Sequence, residues 1–343
     1  MSELTHCITL EGGDVTFSCP PDDTILRSAL RAGIAFPYEC NVGACGNCKF
    51  QLVDGELLQR WPEAPGWSDK DRERGRFLGC QSVPGSACTI KVRPSAPYAP
   101  VHRPRRVAAT LTQCRPITHD IHEFHFSLDE PLPFEPGQYV LLSLPGVTGV
   151  RAYSMSNVAE EGSALSLQFQ VRRVPGGKGT AALFEGLQPG MRIEIDGPYG
   201  RAYLRRDAQR DVVCIAGGSG LAPMISIARG FSFDPNLQDT KLHFLYGART
   251  SKDICGRDML EVLPGFGERI QFHAAVSAPE PGDADAAISH TGFVHDLADT
   301  LLGDRLRDME IYFAGPPAMG EAIQRMLLAR KISFDRVHFD QFY

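Results

Sequence analysis

No run of about 18 or more apolar residues occurs in the 343-residue chain, so no membrane-spanning helix is expected. Basic residues are not in excess. The 35 lysines and arginines face 41 acidic residues, a net charge of -6, which argues against nucleic acid as a partner. The opening Met1-Ser2-Glu3-Leu4-Thr5 lacks a basic start and an apolar core, so no signal peptide is expected and a cytoplasmic setting is. The ten histidines form no triad and no metal spacing, and no catalytic acid or base is assigned. Tryptophan is scarce: the chain has two, at 61 and 67. Cysteine is not scarce. Ten cysteines in a long chain with no secretory start point to a reducing compartment, not to a disulfide framework. The length predicts two or three domains.

Four of the ten cysteines fall in a pattern. Cys40, Cys45 and Cys48 read C-x4-C-x2-C, and Cys80 follows in Leu78-Gly79-Cys80. Four thiolates at this spacing suit two irons and two sulfides. Gly43 and Gly46 let the backbone turn tightly and aim N–H groups at a bulky anion. Zinc remains the alternative, although zinc sites usually show two short cysteine pairs rather than a trio and a distant single. Cys7, Cys19, Cys88, Cys114, Cys214 and Cys255 fit no ligand spacing and read as small hydrophobes or free thiols.

The trio, its glycines and the later Leu-Gly-Cys resemble plant-type ferredoxin domains. That resemblance implies that Cys40, Cys45, Cys48 and Cys80 ligate a [2Fe-2S] cluster on a β-grasp fold. The surrounding pattern is compatible. Strands are expected over 5–10, 15–19, 49–52 and 89–92, with a helix after Asp22-Asp23-Thr24 that Gly33 ends. The segment Glu56 to Arg76, with Trp61-Pro62-Glu63-Ala64-Pro65-Gly66-Trp67, reads as a loop whose aromatics are tucked onto the domain, or as a docking surface. We expect a first domain over 1–94 and a proline-rich, semi-rigid linker over 95–104.

From Arg106 onward the chain alternates in short strands, over 121–128, 134–142, 165–171 and 191–197, which suggests a small antiparallel barrel. On a strand, Arg151 and Tyr153 share a face. Arginine can grip pyrophosphate, tyrosine can lie on an aromatic ring, and the Ser154 hydroxyl can reach a ring nitrogen. Alone, the phrase is better read as an ordinary strand. It is followed, however, by a glycine turn from Val171 through Gly177, Gly179 and Thr180, which offers N–H groups to phosphate. The ordered set Pro136-Gly137-Gln138-Tyr139, Arg151-Ala152-Tyr153-Ser154 and Gly197-Pro198-Tyr199-Gly200 resembles the ferredoxin–NADP reductase superfamily. That resemblance implies a flavin over 105–206, with Tyr153 on its ring and Arg151 on its phosphates. An N-terminal ferredoxin domain in this superfamily implies FAD.

In the last part, 207–343, the strand 211–216 runs straight into Gly217-Gly218-Ser219-Gly220-Leu221-Ala222-Pro223. This is the strand–turn–helix arrangement that cradles phosphate in open parallel sheets. Further strands are expected at 241–246, 269–276, 311–314 and 337–339, with a helix at 317–329. The mixed segment Arg249-Thr250-Ser251-Lys252-Asp253, at the expected adenosine ribose, favours NADH over NADPH. Gly315 and Pro316 shape the nicotinamide loop. The superfamily commonly has a cysteine before them, where this chain has Ala314. A late aromatic, Phe342 or Tyr343, is expected beside the flavin or simply docked on the domain.

The chain as a whole is thus expected to be an α+β multidomain protein: a β-grasp ferredoxin domain, an antiparallel β-barrel flavin domain and an α/β parallel-sheet nicotinamide domain. It resembles reductase components of bacterial aromatic oxygenases, toluene monooxygenase reductases in particular. This implies an NADH-dependent reductase whose acceptor is a Rieske ferredoxin or the oxygenase itself. A ring-hydroxylating dioxygenase reductase and a redox-sensing module are the rivals.

Overall fold

The computed structural model describes residues 5–280 and 288–341. It contains three main sheets in chain order. In the first, β1 (His6–Leu10) and β2 (Thr16–Cys19) form a hairpin, and their alternation turns Ile8, Leu10, Phe17 and Cys19 inward. Helix α1 (Ile25–Arg31) crosses this sheet. Thr24 caps it by accepting from the Arg27 N–H, and Gly33, at φ +83°, lets the chain leave. Then come β3 (Lys49–Asp54), β4 (Leu57–Gln59), α2 (Asp69–Glu73), β5 (Arg76–Leu78), β6 (Ser82–Pro84) and β7 (Cys88–Lys91). The order β2-β1-β7-β3-β5, with β1 and β7 parallel and the other pairs antiparallel, is the mixed sheet expected.

The stretch 56–76 is more ordered than a loop. Besides β4 and the start of β5 it holds α2, where Ser68 and Asp71 cap each other reciprocally and Lys49 pairs with Asp71 at 2.9 Å. That capping box was legible as S-x-x-D, but the prolines before it mask it.

The second sheet is antiparallel: β8 (Arg105–Pro116), β9 (Ile121–Leu132), β10 (Tyr139–Ser143), β11 (Arg151–Ser154), β12 (Ala164–Arg172) and β13 (Arg192–Tyr199), in the order β11-β10-β13-β8-β9-β12. It curls into a half-barrel, and Met155, just past β11, bridges to Phe169 of β12 at the far edge. Between β12 and β13 lies α3 (Lys178–Ala181), continued by a wider π turn over Ala182–Gly186.

The third sheet is parallel throughout. It comprises β14 (Val212–Gly217), β15 (Leu242–Ala248), β16 (Ile270–Val276), β17 (Ile288–Thr291), β18 (Glu310–Gly315) and β19 (Val337–Gln341), in the order β17-β16-β15-β14-β18-β19. Helices α4 (Leu221–Phe233), α5 (Arg257–Glu261), α6 (Val294–Leu302) and α7 (Pro317–Ala329) cover its faces. Buried on both sides, β14 reads as the continuous apolar run Val-Val-Cys-Ile-Ala.

The sheets are not beads on a string. The apolar core of the first continues into Tyr139, Leu141 and Tyr199 of the second. The 95–104 segment is held at both ends: Ser95 N–H donates to Ala35 O, Arg201 stacks on Tyr98, and His102 pairs with Glu135. Between the second and third sheets, Ser226 of α4 donates to Asn157 O and accepts from Gly137 N–H.

Within the half-barrel, Glu123 is fully buried. It accepts from Arg115 and His125, each at 2.7 Å, and from Gln170 at 3.2 Å. Burial works to raise its carboxyl pKa, but these hydrogen bonds win and hold it below the usual range. A depressed carboxylate contributes stability above its unfolded pKa of about 4.3 and loses it as pH falls through the folded value. Glu123→Gln should therefore lower stability at neutral pH by on the order of 1–3 kcal/mol. The loss should shrink toward about pH 3, which denaturant midpoints at several pH values will measure.

Candidate electron-transfer site

The cysteine loop starts from α1. Buried Arg27 donates to the Asn41 side chain at 3.2 Å and to its carbonyl at 3.1 Å, while Asn41, Gly43 and Gly46 take left-handed conformations. This wraps the loop so that its sulfurs fall in two pairs. Cys45 N–H donates to the Cys40 sulfur at 3.3 Å, and the Cys48 and Cys80 sulfurs lie 3.3 Å apart. The Cys40 thiol is pulled down to about 6. The Cys45 thiol hydrogen-bonded to it contributes most and, together with the Val42, Cys45 and Ala44 N–H groups, outweighs burial. Among the described residues, no three of His, Cys, Asp and Glu are placed to share one metal ion. Two thiolate pairs suit two irons bridged by sulfide better than one zinc.

The insert completes this cradle, which the sequence reading did not anticipate. Gly66 N–H donates to Gly43 O at 3.0 Å, and a Cβ on Gly66 would lie 2.6 Å from the Gly46 nitrogen and 2.8 Å from Gly43 O. Only glycine permits this backbone-on-backbone contact. The two tryptophans differ in burial. Trp67 is tucked in, donating to Arg76 O, with Arg72 over its ring and Phe77 beside it. Trp61 stays 42% exposed over Gly43. Gly66→Ala should cost the chain more than about half of its bound iron, read by iron analysis and visible absorbance, with the flavin complement unchanged.

A cavity of about 360 Å³ opens beside the loop. Arg151, Tyr153, Ser154, Val171, Gly177, Gly179 and Thr180 line it, as the sequence predicts; so do Ser219, expected at the nicotinamide site, and Glu39, Cys40, Val42, Tyr139, Phe339 and Asp340, which the sequence does not place here. Gly179 packs on Arg151 and Tyr153 so closely that a Cβ would sit 3.1 Å from Arg151 Cγ and 3.3 Å from the Tyr153 hydroxyl. The Arg151 guanidinium is steadied by the Thr148 and Val150 carbonyls. A ring-bearing diphosphate fits this set: an aromatic face, a guanidinium, and a turn of backbone N–H groups.

Phe339, stacked on Phe313 at 4.7 Å and nearly parallel, is the late aromatic on the cavity wall. Phe342 and Tyr343, to which that role was assigned, lie outside the described residues. Asp340 follows Phe339. The residue borders the cavity, but its Oδ2 is sealed from solvent without a partner. Burial, then the nearby Glu39, pushes its carboxyl up to about 7. The protonated form is favoured in the fold, so its contribution is complete below the unfolded pKa of about 4 and lost as pH rises toward 7. Asp340→Asn should therefore flatten the fall in thermal midpoint between about pH 5 and pH 8 that the unaltered protein shows.

A second cavity, of about 930 Å³, lies across the Gly217–Gly220 turn. Gly217 and Gly218 face it and Ser219 faces the first, so this turn is a wall common to both, as is Arg172. Arg249 and Pro316 line the second cavity as expected, joined by Phe293, Asp296, Arg325 and Arg330 from α6, α7 and their flanks. Gly220 and Gly315 do not line it; they pack beneath. A Cβ on Gly220 would lie 1.9 Å from Ala314 O, and one on Gly315 would lie 2.5 Å from Met319. The Ala314 side chain is itself fully buried, in the strand rather than on the cavity wall.

The comparisons agree with this geometry. Residues 8–85 match 2Fe-2S iron–sulfur cluster binding domains, 108–203 match oxidoreductase FAD-binding domains, and 214–325 match oxidoreductase NAD-binding domains. The chain is 40% identical to the ferredoxin–NAD(+) reductase component of the alkene monooxygenase system of Xanthobacter autotrophicus, over 95% of this chain and 98% of that one. It is 32% identical to the xylene/toluene monooxygenase electron transfer component of Pseudomonas putida, over 98% and 93%. The solved ferredoxin reductase in carbazole 1,9a-dioxygenase superposes with a TM-score of 0.89 at 34% identity, covering 99% of each chain. A two-iron ferredoxin domain, an FAD domain and an NAD domain in one chain define an NAD-linked iron–sulfur flavoprotein oxidoreductase. The chain belongs to the family of ferredoxin–NAD(P)(+) reductase components of monooxygenase and dioxygenase systems.

Proposed function

We propose that the chain supplies electrons from NADH to a Rieske ferredoxin or diiron hydroxylase of an aromatic, toluene-type monooxygenase. Dioxygenase reductases of the same family are the second reading, since the ferredoxin reductase in carbazole 1,9a-dioxygenase superposes over 99% of the chain. The observation that carries the relay is that Cys40 lines the cavity of Arg151 and Tyr153. The chemistry the bound groups supply is two-electron acceptance from NADH at FAD and one-electron release through a [2Fe-2S] cluster.

In this reading the residues bind and orient. Cys40 with Cys45, and Cys48 with Cys80, each hold one iron. Arg151 and the N–H groups around Gly177, Gly179 and Thr180 hold the flavin diphosphate, and Tyr153 and Phe339 offer ring faces. Gly217 and Gly218 with the start of α4 take the dinucleotide phosphates, and Pro316 shapes the nicotinamide end. Division of the chain at 95–104 and near 206 is supported by the strand sets, none of which crosses those positions. A cytoplasmic setting is proposed on the cysteine content.

Anaerobic titration with NADH tests this directly. The flavin and iron–sulfur bands should both bleach, and in Cys80→Ser only the flavin band should. A chain that bleaches neither band with NADH or NADPH would return the redox-sensing reading.

A further inference from the structure

The last residue of α1, Arg31, reaches across the boundary between the first two sheets. Its guanidinium grips both oxygens of Asp196, at 2.9 and 2.7 Å, and Asp23 of its own domain at 2.9 Å. Both carboxylates are nearly sealed from solvent, and the arginine side chain is 24% exposed. Asp196 also accepts from the Tyr199 hydroxyl at 2.9 Å. Tyr199 in turn packs between Tyr38, two residues before Cys40, and Tyr139, which lines the flavin cavity. Two hydrogen bonds close the arrangement. Gly200 N–H donates to the Tyr38 hydroxyl at 3.1 Å, and the Tyr139 hydroxyl donates to Glu39 O.

A planar fork between two buried carboxylates fixes an angle as well as a distance. A surface pair would allow the ferredoxin domain to swing; this one does not.

We propose that Arg31 is the positioning residue of the relay, clamping the ferredoxin domain in the orientation that holds Cys40 against the flavin cavity throughout turnover. The acceptor protein therefore meets a fixed domain, and no swing carries the cluster to it. This rests on the reading of the chain as an NADH-to-cluster relay.

The test uses the holoprotein, mixed anaerobically with NADH, with the flavin and iron–sulfur bands followed separately. In Arg31→Met, flavin bleaching should keep its rate, and cluster bleaching should slow at least tenfold, because electron transfer falls off exponentially with distance. Arg31→Lys, which keeps the charge without the fork, should fall between. Turnover with ferricyanide, which takes electrons from the flavin directly, should be unchanged. Exchange of the Gly200 amide, protected only while Tyr38 is docked, should quicken at least tenfold in Arg31→Met.

Cluster bleaching and Gly200 exchange at the unaltered rates would overturn the proposal. So would faster delivery to the acceptor, the mark of a domain that must swing. If Arg31→Met does not fold, Asp196→Asn carries the same expectations and Arg31→Lys the intermediate ones. Failure of the flavin itself to bleach in the unaltered protein would count against the relay reading, not against the clamp.

Discussion

Cys40, the proposed cluster ligand, forms part of the wall of the cavity proposed for the flavin, and that contact is the constraint the three sheets serve. Cys40 stands there because the chain on either side of it is tied down. Arg27 holds Asn41 from within the ferredoxin domain, and Tyr139 and Gly200 hold Glu39 and Tyr38 from the half-barrel. The apolar core follows the same route, running from Ile8 and Leu30 into Tyr139 and Tyr199 without a break. Burying aromatic surface across a domain boundary removes the freedom that a linker would leave. The proline-rich segment 95–104, expected as a spacer, is accordingly fastened at Ser95, Tyr98 and His102.

What could be read from the sequence was what is local along the chain. The cysteine spacing, the glycine turns and the apolar runs of β14 and β18 each lie within a short window, and periodicity or turn chemistry exposes them. What could not be read was what the fold brings together. Arg31 and Asp196 are 165 residues apart and look like ordinary surface charges in the sequence. Glu39 and Asp340 carry no motif, yet they meet at one cavity. Phe293, Arg325 and Arg330 join Arg249 only because the parallel sheet sets α6 and α7 beside the ends of β14 and β15. Gly66 belongs to a phrase that reads as a loop, and its need for glycine is visible only once Gly43 and Gly46 are seen against it.

Close backbone packing also bears on Ala314. Its carbonyl would meet any Cβ at position 220, so the glycine turn and the end of β18 touch main chain to main chain. The Ala314 side chain is itself fully buried, where a compact residue packs with least displacement of its neighbours. Alanine has the least volume of any residue bearing a Cβ, and it leaves the turn free to serve as a wall common to both cavities. With alanine at 314, Gly220 and Gly315 pack the end of β18 against the glycine turn, and Pro316 borders the larger cavity.

The order of the sheets gives the relay a direction in space. The larger cavity sits at the carboxyl ends of the parallel strands, where open α/β sheets bind their ligands. One glycine turn separates it from the first cavity, and one cysteine of the loop borders that cavity in turn. Beyond the loop, Cys48 and Cys80 are buried, but Trp61 and Asn47 are exposed. The proposed entry and exit thus lie on different domains, with the half-barrel between them. A chain built this way need not choose between receiving and delivering electrons. Under the proposed assignment, the cavity for dinucleotide and the exposed face beside the cysteine loop share no residue, so an acceptor docked at that face would leave the nicotinamide cavity open.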